Sequence, residues 1–142
     1  MKRFLSSVLI AAAAIFSAPA SAADLVVGVA AGDPGACGDS RVLGRISGRF
    51  DYQVRHVPNL PQVSIVDFER IGVSRYEPAS EWWAVDRRYC SGKVRLSDGK
   101  SRNIWFLIER PMGFAGVGSN VEFCVAGFDR WHVYSGNCRV LK

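Results

Sequence analysis

The residues best suited to do chemistry lie close together near the end of the chain: Asp129, His132 and Ser135. An acid, a histidine and a hydroxyl are the groups of a nucleophilic triad, in which the histidine acts as general base. The pattern predicts a strand over residues 130–134, and if Asp129 continued that strand, Asp129 and His132 would point to opposite faces. A Gly-x-Ser-x-Gly turn, which exposes a nucleophilic serine, does not occur in the sequence. We therefore predict that the protein is not an enzyme, with a small hydrolase using His132 as one alternative.

The chain contains four cysteines, which are Cys37, Cys90, Cys124 and Cys138. Four cysteines in a small exported domain are typical of two disulfides, for which three pairings exist. We favour a local bridge between Cys124 and Cys138 and a long one between Cys37 and Cys90, while the other pairings stay open.

Neither a metal site nor a phosphate site is predicted, and we expect no cofactor. Only His56 and His132 could assist the cysteines, and no Cys-x-x-Cys spacing occurs. The glycine-rich segment 113–120 is not expected to precede a helix and has no P-loop lysine, so we expect a wide hairpin loop. Phe114 could protrude from that loop as a recognition residue.

Aromatic and arginine residues make up the candidate binding site, which comprises Trp82, Trp83, Arg87, Arg88, Phe114 and Trp131. Aromatic faces with nearby guanidinium groups suit sugars, peptidoglycan fragments or anionic lipid headgroups. The alternative is that most of these rings fill the core of a small domain. Trp82 and Trp83 are the exception, because adjacent residues on a strand face opposite ways and one of the two is expected to be exposed or covered by another element.

Residues 1–22 have the layout of a secretory signal peptide. Lys2 and Arg3 precede a short apolar run over residues 5–16, and small residues at 20–22 form a cleavage site. The run is too short and too alanine-rich for a membrane span. Export predicts an oxidising compartment, the periplasm, for the mature chain.

Length and charge limit the remaining possibilities. The organisation that we predict is a signal peptide (1–22), a connector (23–36) and one domain (37–142). The chain has 18 basic and 13 acidic residues, and the signal peptide removes two of the basic ones, which leaves 16 against 13. Such a mild excess predicts no nucleic-acid partner, and no second long apolar stretch predicts a transmembrane anchor.

One amphipathic helix of about 17 residues is predicted at the start of the domain. Apolar residues recur at spacings of three and four over residues 42–57, after an N-cap at residue 39 or 40, and Pro58 ends the pattern. Gly44 and Gly48 lie inside the helix, where we expect them to form a smooth face for close approach to a sheet.

The rest of the domain is predicted to be strand: 63–76 with a bend or bulge, 82–96, 102–109, a hairpin of 121–126 with 130–134, and a short closing strand, 138–141. Asp98 and Gly99 predict a two-residue hairpin turn, and apolar residues on both faces make 102–109 a central strand. We therefore predict an α+β fold in which one N-terminal helix packs on a curved antiparallel sheet, as in cystatin-like and NTF2-like rolls. An all-β barrel with a helical arm is the alternative.

From the helix onward the chain resembles a family of small signal-bearing proteins of rhizobia-like α-proteobacteria. The stretches that carry the resemblance are Arg87-Arg88-Tyr89-Cys90, Leu96-Ser97-Asp98-Gly99, Gly113-Phe114-Ala115 and residues 121–131. It implies a Gram-negative periplasm and brings no activity or catalytic residues with it. Periplasmic lysozyme inhibitors share the size and the signal, although their Ser-Gly-x-x-Tyr signature is absent here.

These observations predict a periplasmic, non-enzymatic binding module. Its partner would be an envelope component, either a glycan or an anionic lipid, or else a periplasmic protein. Inhibition of a lysozyme-type lytic enzyme is the first alternative and hydrolysis the second. The sequence does not determine the oligomeric state.

Overall fold

The computed structural model describes residues 35–112 and 118–142. The predicted signal peptide, residues 23–34 of the predicted connector and Phe114 lie outside the described residues. The elements are a 3₁₀ helix (Gly35–Gly38), α1 (Ser40–His56), β1 (Ile65–Glu77), β2 (Asp86–Leu96), β3 (Ser101–Arg110), β4 (Asn120–Val125) and a second 3₁₀ helix (Arg139–Leu141). The strands form one antiparallel sheet in the order β1-β2-β3-β4, which confirms an α+β fold.

Helix α1 has the predicted length of 17 residues and begins at a side-chain cap. Asp39 accepts a hydrogen bond from the Arg41 backbone N–H at 2.8 Å and pairs with the Arg41 guanidinium at 3.0 Å. The hydrogen bond from Arg41 lowers the pKa of the Asp39 carboxyl. The helix ends at His56, ahead of Pro58, as the pattern predicted.

The prediction for the two helix glycines is wrong. Gly44 and Gly48 are both exposed, and no atom outside the helix backbone lies within 4 Å of a Cβ built on either residue. The buried residues of α1 lie on the other side of the helix and are Val42, Ile46, Phe50 and Val54. The glycines therefore face solvent and make no close approach to the sheet.

Strand β1 is irregular where the sequence predicted a bend or bulge. Its register with β2 shifts at Val66 and again between Glu69 and Gly72, where two residues of β1 oppose Gly92. A Cβ on Gly92 would meet the Glu69 carbonyl oxygen at 3.0 Å, so this bulge requires a glycine opposite it.

The β2–β3 hairpin occurs where predicted but has a three-residue loop. The Leu96 N–H donates to the Lys100 carbonyl at 2.9 Å, and the Gly99 N–H donates to the Leu96 carbonyl at 2.9 Å. Gly99 has a φ of 80°, whereas Asp98 is not among the described residues with positive φ. A two-residue type I′ turn would need positive φ at both residues, so the prediction is corrected to a three-residue loop.

Strand β3 is central and apolar on both faces, as predicted. Ile104, Phe106 and Ile108 belong to the main core cluster, which also contains the buried residues of α1. Leu107 points the other way and joins a second cluster with Cys124, Cys138 and Leu141. The chain after β4 thus covers β3 and β4 on the face of the sheet opposite α1.

The predicted hairpin of 121–126 with 130–134 is wrong, and so is the closing strand 138–141. Residues 126–138 carry no strand, and residues 139–141 form the 3₁₀ helix. Four non-glycine residues of this segment have positive φ, far from the extended backbone of a regular strand: His132, Ser135, Asn137 and Cys138.

Two disulfides link the elements in the pairing that the sequence analysis favours. Cys37 bonds to Cys90 with a Cα–Cα distance of 5.9 Å, and Cys124 bonds to Cys138 with one of 5.6 Å. Disulfides are typical of proteins that fold outside the reducing cytosol, so the chain is typical of an extracytoplasmic protein. In the described part of the chain, no helix has the length and apolar character needed to cross a bilayer.

Candidate functional site

Trp82 and Trp83 lie on a tight turn between β1 and β2. The turn is closed by two hydrogen bonds, from the Ser80 N–H to the Trp83 carbonyl at 2.8 Å and from the Trp83 N–H to the Ser80 carbonyl at 3.2 Å. The predicted strand from residue 82 is wrong in its start, because β2 begins at Asp86. Strand alternation therefore does not apply to the two rings, and both are exposed: Trp82 to 87% and Trp83 to 63%.

Arg87 connects this turn to the sheet. Its guanidinium carbon lies 5.4 Å from the centroid of the Trp83 ring, and its Nε donates to Glu109 Oε1 at 3.1 Å. The second oxygen of the buried Glu109 accepts a hydrogen bond from Asn120 at 3.1 Å. The hydrogen bond to Glu109 raises the pKa of Arg87. The same hydrogen bond holds the guanidinium beside the Trp83 ring.

Arg88 lies on the opposite face of β2 from Arg87, because adjacent strand residues alternate. Its guanidinium carbon is 4.8 Å from the Tyr76 ring centroid, and its Nε is buried with no hydrogen-bond partner among the described residues. The structure therefore brings Trp82, Trp83 and Arg87 together and separates Arg88 from them.

Trp131 lies in a different surface, a groove of about 860 Å³ between α1, β4 and the chain after β4. We call it the α1–β4 groove. Trp131 is 66% exposed there, and three more exposed apolar side chains line the same groove, which are Tyr52, Val133 and Val140. The sequence analysis missed these three. Tyr52 offered a signal, since it lies outside the apolar stripe of the predicted helix.

Three side chains of α1 join the helix to the last strand and the segment that follows it. Arg45 Nη1 donates to the Ser119 carbonyl at 2.9 Å, and Arg49 Nη1 donates to the Val121 carbonyl at 2.6 Å. Gln53 Nε2 donates to the Phe128 carbonyl at 2.9 Å. The three are spaced by four residues, so they lie along one side of the helix. Arg49 and Gln53 line the α1–β4 groove, and their hydrogen bonds join its helix wall to Val121 and Phe128 on the other wall.

Tyr134 adds a polar group to the floor of the groove, where it is half-buried. Burial raises the pKa of its hydroxyl, and the charge of Glu122 adds to that effect. The hydroxyl therefore stays protonated at neutral pH and is available as a hydrogen-bond donor.

Asp129, His132 and Ser135 line a second, polar cavity of about 460 Å³. These residues lie on turns and not on the predicted strand, so strand alternation does not separate Asp129 from His132 and that prediction is wrong. Asp129 Oδ1 accepts a hydrogen bond from the Tyr134 N–H at 3.3 Å, and its Oδ2 is buried without a partner in the described residues. No side-chain hydrogen bond joins these three residues in the part of the chain that the structure describes.

Within residues 35–112 and 118–142, no group of three or more His, Cys, Asp and Glu side chains is placed to hold a metal ion. All four cysteine sulfurs are in disulfides.

Comparisons with protein-family models, with curated proteins and with solved structures found no match to this chain. The resemblance to small periplasmic α-proteobacterial proteins therefore stays a prediction from the sequence.

Proposed function

We propose that the protein is a periplasmic, non-enzymatic binding module that contacts an envelope component or a periplasmic protein through the turn that carries Trp82 and Trp83. The observation that supports this most is the exposure of both rings, 87% and 63%, on a turn closed by two backbone hydrogen bonds. Large exposed aromatic rings are enriched where proteins make contacts. A turn that is already ordered has less conformational entropy to lose on binding.

The chemistry beside the turn fits an envelope component. An indole ring has an apolar face and one N–H donor, which is why tryptophan prefers interfaces between apolar and wet surroundings. Arg87, held by Glu109, adds a cation next to Trp83 that can pair with a phosphate or carboxylate. Anionic lipid headgroups and the acidic groups of peptidoglycan both present such anions beside less polar surface.

The proposal includes a periplasmic location and a roll-like arrangement of the helix and the sheet. Two disulfides support an oxidising compartment. Core residues shared by α1 and three of the strands support a roll of the cystatin-like or NTF2-like kind, with the helix against a curved sheet.

The test is co-sedimentation of the purified protein with phosphatidylglycerol vesicles and, separately, with purified peptidoglycan. We expect Trp82→Ala combined with Trp83→Ala to weaken binding to one of these at least tenfold. Trp131→Ala is the matched control, since Trp131 is 66% exposed on another surface. Unchanged binding in the double variant, or a loss with Trp131→Ala alone, would contradict the proposal.

Binding to a partner protein is tested by a separate experiment. Crosslinking in living cells followed by mass spectrometry should recover one predominant partner with the wild-type chain, and the double Trp variant should lose it. If binding to vesicles, to peptidoglycan and to cellular proteins is all unaffected by the double substitution, the turn is not the contact surface.

A further inference from the structure

We infer that the polar cavity lined by Asp129, His132 and Ser135 binds a phosphate group, carried by free phosphate or by a small phosphate ester. This inference does not rest on the function proposed for the Trp82–Trp83 turn, because the two surfaces share no residue. The cavity is also separate from the glycine-rich segment 113–120, for which the sequence predicts no phosphate site.

The cavity lies between two walls that the fold holds in place. One wall is the chain that follows α1, residues 59–61, and the other is the segment after β4, residues 127–139. Gln53 of α1 donates to the Phe128 carbonyl at 2.9 Å, which joins the helix to that segment, and the Cys124–Cys138 disulfide fixes the segment near its other end. The cavity is therefore formed before a ligand arrives, which lowers the entropic cost of binding. Its volume of about 460 Å³ lies in the range of small-ligand sites, which are roughly 300–1,000 Å³.

Positive charge exceeds negative charge among the lining residues. Arg130 and Arg139 contribute two cations, and neither takes part in an ion pair in the part of the chain that the structure describes. Asp129 is the one carboxylate among the described lining residues. Its Oδ1 already accepts the hydrogen bond from the Tyr134 N–H, and its Oδ2 is buried. The lining therefore carries a net positive charge, which favours an anion.

The cavity also offers more hydrogen-bond donors than the protein itself uses. Arg139 Nε donates to the Ser135 carbonyl at 2.8 Å, which orients the guanidinium, while its terminal N–H groups have no acceptor among the described residues. The backbone N–H groups of Gly136 and Asn137, which both line the cavity, have no acceptor within residues 35–112 and 118–142 either. Charged guanidinium groups and backbone N–H groups are the donors that bind oxyanions in proteins.

The backbone around the cavity adopts an unfavourable conformation at several positions. Eleven described residues have positive φ, and six of them line this cavity, four of which are not glycine: Asn59, His132, Ser135 and Asn137. Residues with a Cβ rarely adopt this region, and those that do are concentrated at ligand and active sites. From Ser135 to Cys138 every residue has positive φ, so successive N–H groups lie in one tight turn. Turns of this kind can form concave anion sites.

A phosphate fits the arrangement of the donors better than a carboxylate. Asn59 lies on one wall of the cavity, whereas Arg130 and Arg139 lie on the other. An anion between the walls is therefore approached from more than one direction. The oxygens of a phosphate are arranged tetrahedrally and can accept hydrogen bonds from both walls, whereas the two oxygens of a carboxylate lie in one plane and on one side of the group.

The experiment titrates the ¹⁵N-labelled full chain with inorganic phosphate, with glycerol 3-phosphate and with acetate, and follows the amide signals by NMR. We expect saturable binding of at least one phosphate probe, with the largest shifts at Gly136 and Asn137, and binding of acetate at least tenfold weaker. Tighter binding of inorganic phosphate would identify free phosphate as the ligand, and tighter binding of glycerol 3-phosphate would identify an ester.

Three variants test which charges are responsible. Arg130→Gln removes one cation from the lining and should weaken phosphate binding at least tenfold. Asp129→Asn removes the repelling carboxylate, keeps an oxygen for the Tyr134 N–H and should strengthen binding. Arg70→Gln is the matched control, since Arg70 is also exposed and takes part in no ion pair among the described residues, but lies on β1 and does not line the cavity.

Circular dichroism verifies that the three variants are folded. The inference would be overturned if neither phosphate probe bound saturably, if acetate bound as tightly as phosphate, or if the largest shifts lay outside the cavity. Equal weakening by Arg130→Gln and Arg70→Gln would also overturn it, and so would weaker binding by a folded Asp129→Asn variant.

Discussion

Arg87 and Glu109 are register partners on β2 and β3, and their side chains form an ion pair with an Nε–Oε1 distance of 3.1 Å. The carboxylate is the more buried partner, with 12% of its side chain exposed against 33% for the arginine. The pair holds the guanidinium where it also meets the Trp83 ring. A structural ion pair thus positions a cation that adjoins the proposed contact turn.

Removing Arg87 should therefore cost more stability than removing an exposed arginine. Arg87→Ala leaves a largely buried carboxylate without its cationic partner, which is costly in the folded state. Arg95→Ala is the control, because Arg95 pairs with Asp67 at 2.8 Å while both side chains are about half exposed, and exposed pairs contribute little. Urea unfolding at pH 7 should show a lower midpoint for Arg87→Ala than for Arg95→Ala; equal midpoints would contradict this role.

A methyl group at position 92 should destabilise the sheet. The Cβ of Gly92→Ala would clash with Ile71 Cδ1 and would lie 3.0 Å from the Glu69 carbonyl oxygen, where the backbone of the bulge cannot move freely. Overpacking of this kind costs about 1–3 kcal/mol. We expect a loss of that size in the free energy of unfolding from urea titrations, and a change below about 0.5 kcal/mol would show that the bulge accommodates a side chain.

In contrast to Gly92→Ala, the substitution Gly44→Ala should stabilise the protein. Gly44 lies in the interior of α1 with open space where a Cβ would be, so Gly44→Ala keeps every contact and gains helix propensity. The gain should be up to about 1 kcal/mol in the free energy of unfolding. The same urea titration measures it, and a destabilised Gly44→Ala variant would contradict the exposed position of this residue.

Helix α1 and strand β3 were predicted well because the residues that determine them lie close together in the sequence. The Asp39 cap, the spacing of apolar residues and Pro58 act within a few residues of one another, so the pattern alone indicates the helix. The same holds for the two apolar faces of β3. The favoured cysteine pairing also agrees with the structure.

The segment after β4 could not be predicted in this way. His132, Ser135, Asn137 and Cys138 adopt positive φ without being glycine, at a local cost that side-chain patterns do not reveal. The Cys124–Cys138 bridge and the packing of Leu141 on the second cluster hold the segment there. Because the α1–β4 groove is built from this segment, Val133 and Val140 were missed, and Asp129 and His132 were placed on a strand that does not exist.

The N-terminal cap of α1 should make stability depend on pH in the acidic range. Arg41 lowers the pKa of Asp39 in the folded state, so the cap contributes above the unfolded pKa, near 4, and is lost as the pH falls through the folded value. Asp39→Asn keeps a side-chain oxygen as acceptor but cannot titrate. The urea midpoint of the wild type should therefore exceed that of Asp39→Asn at pH 6, and the difference should shrink by pH 2.5; a constant difference would contradict the assignment.

The most direct test of the account is the dissociation constant of the protein for isolated envelope material, which contains both lipid and peptidoglycan, measured by sedimentation. The account predicts that Trp82→Ala with Trp83→Ala raises this constant at least tenfold, or about 1.4 kcal/mol, while the fold stays intact by circular dichroism. A dissociation constant equal to that of the wild type would contradict the claim that this turn is the contact surface.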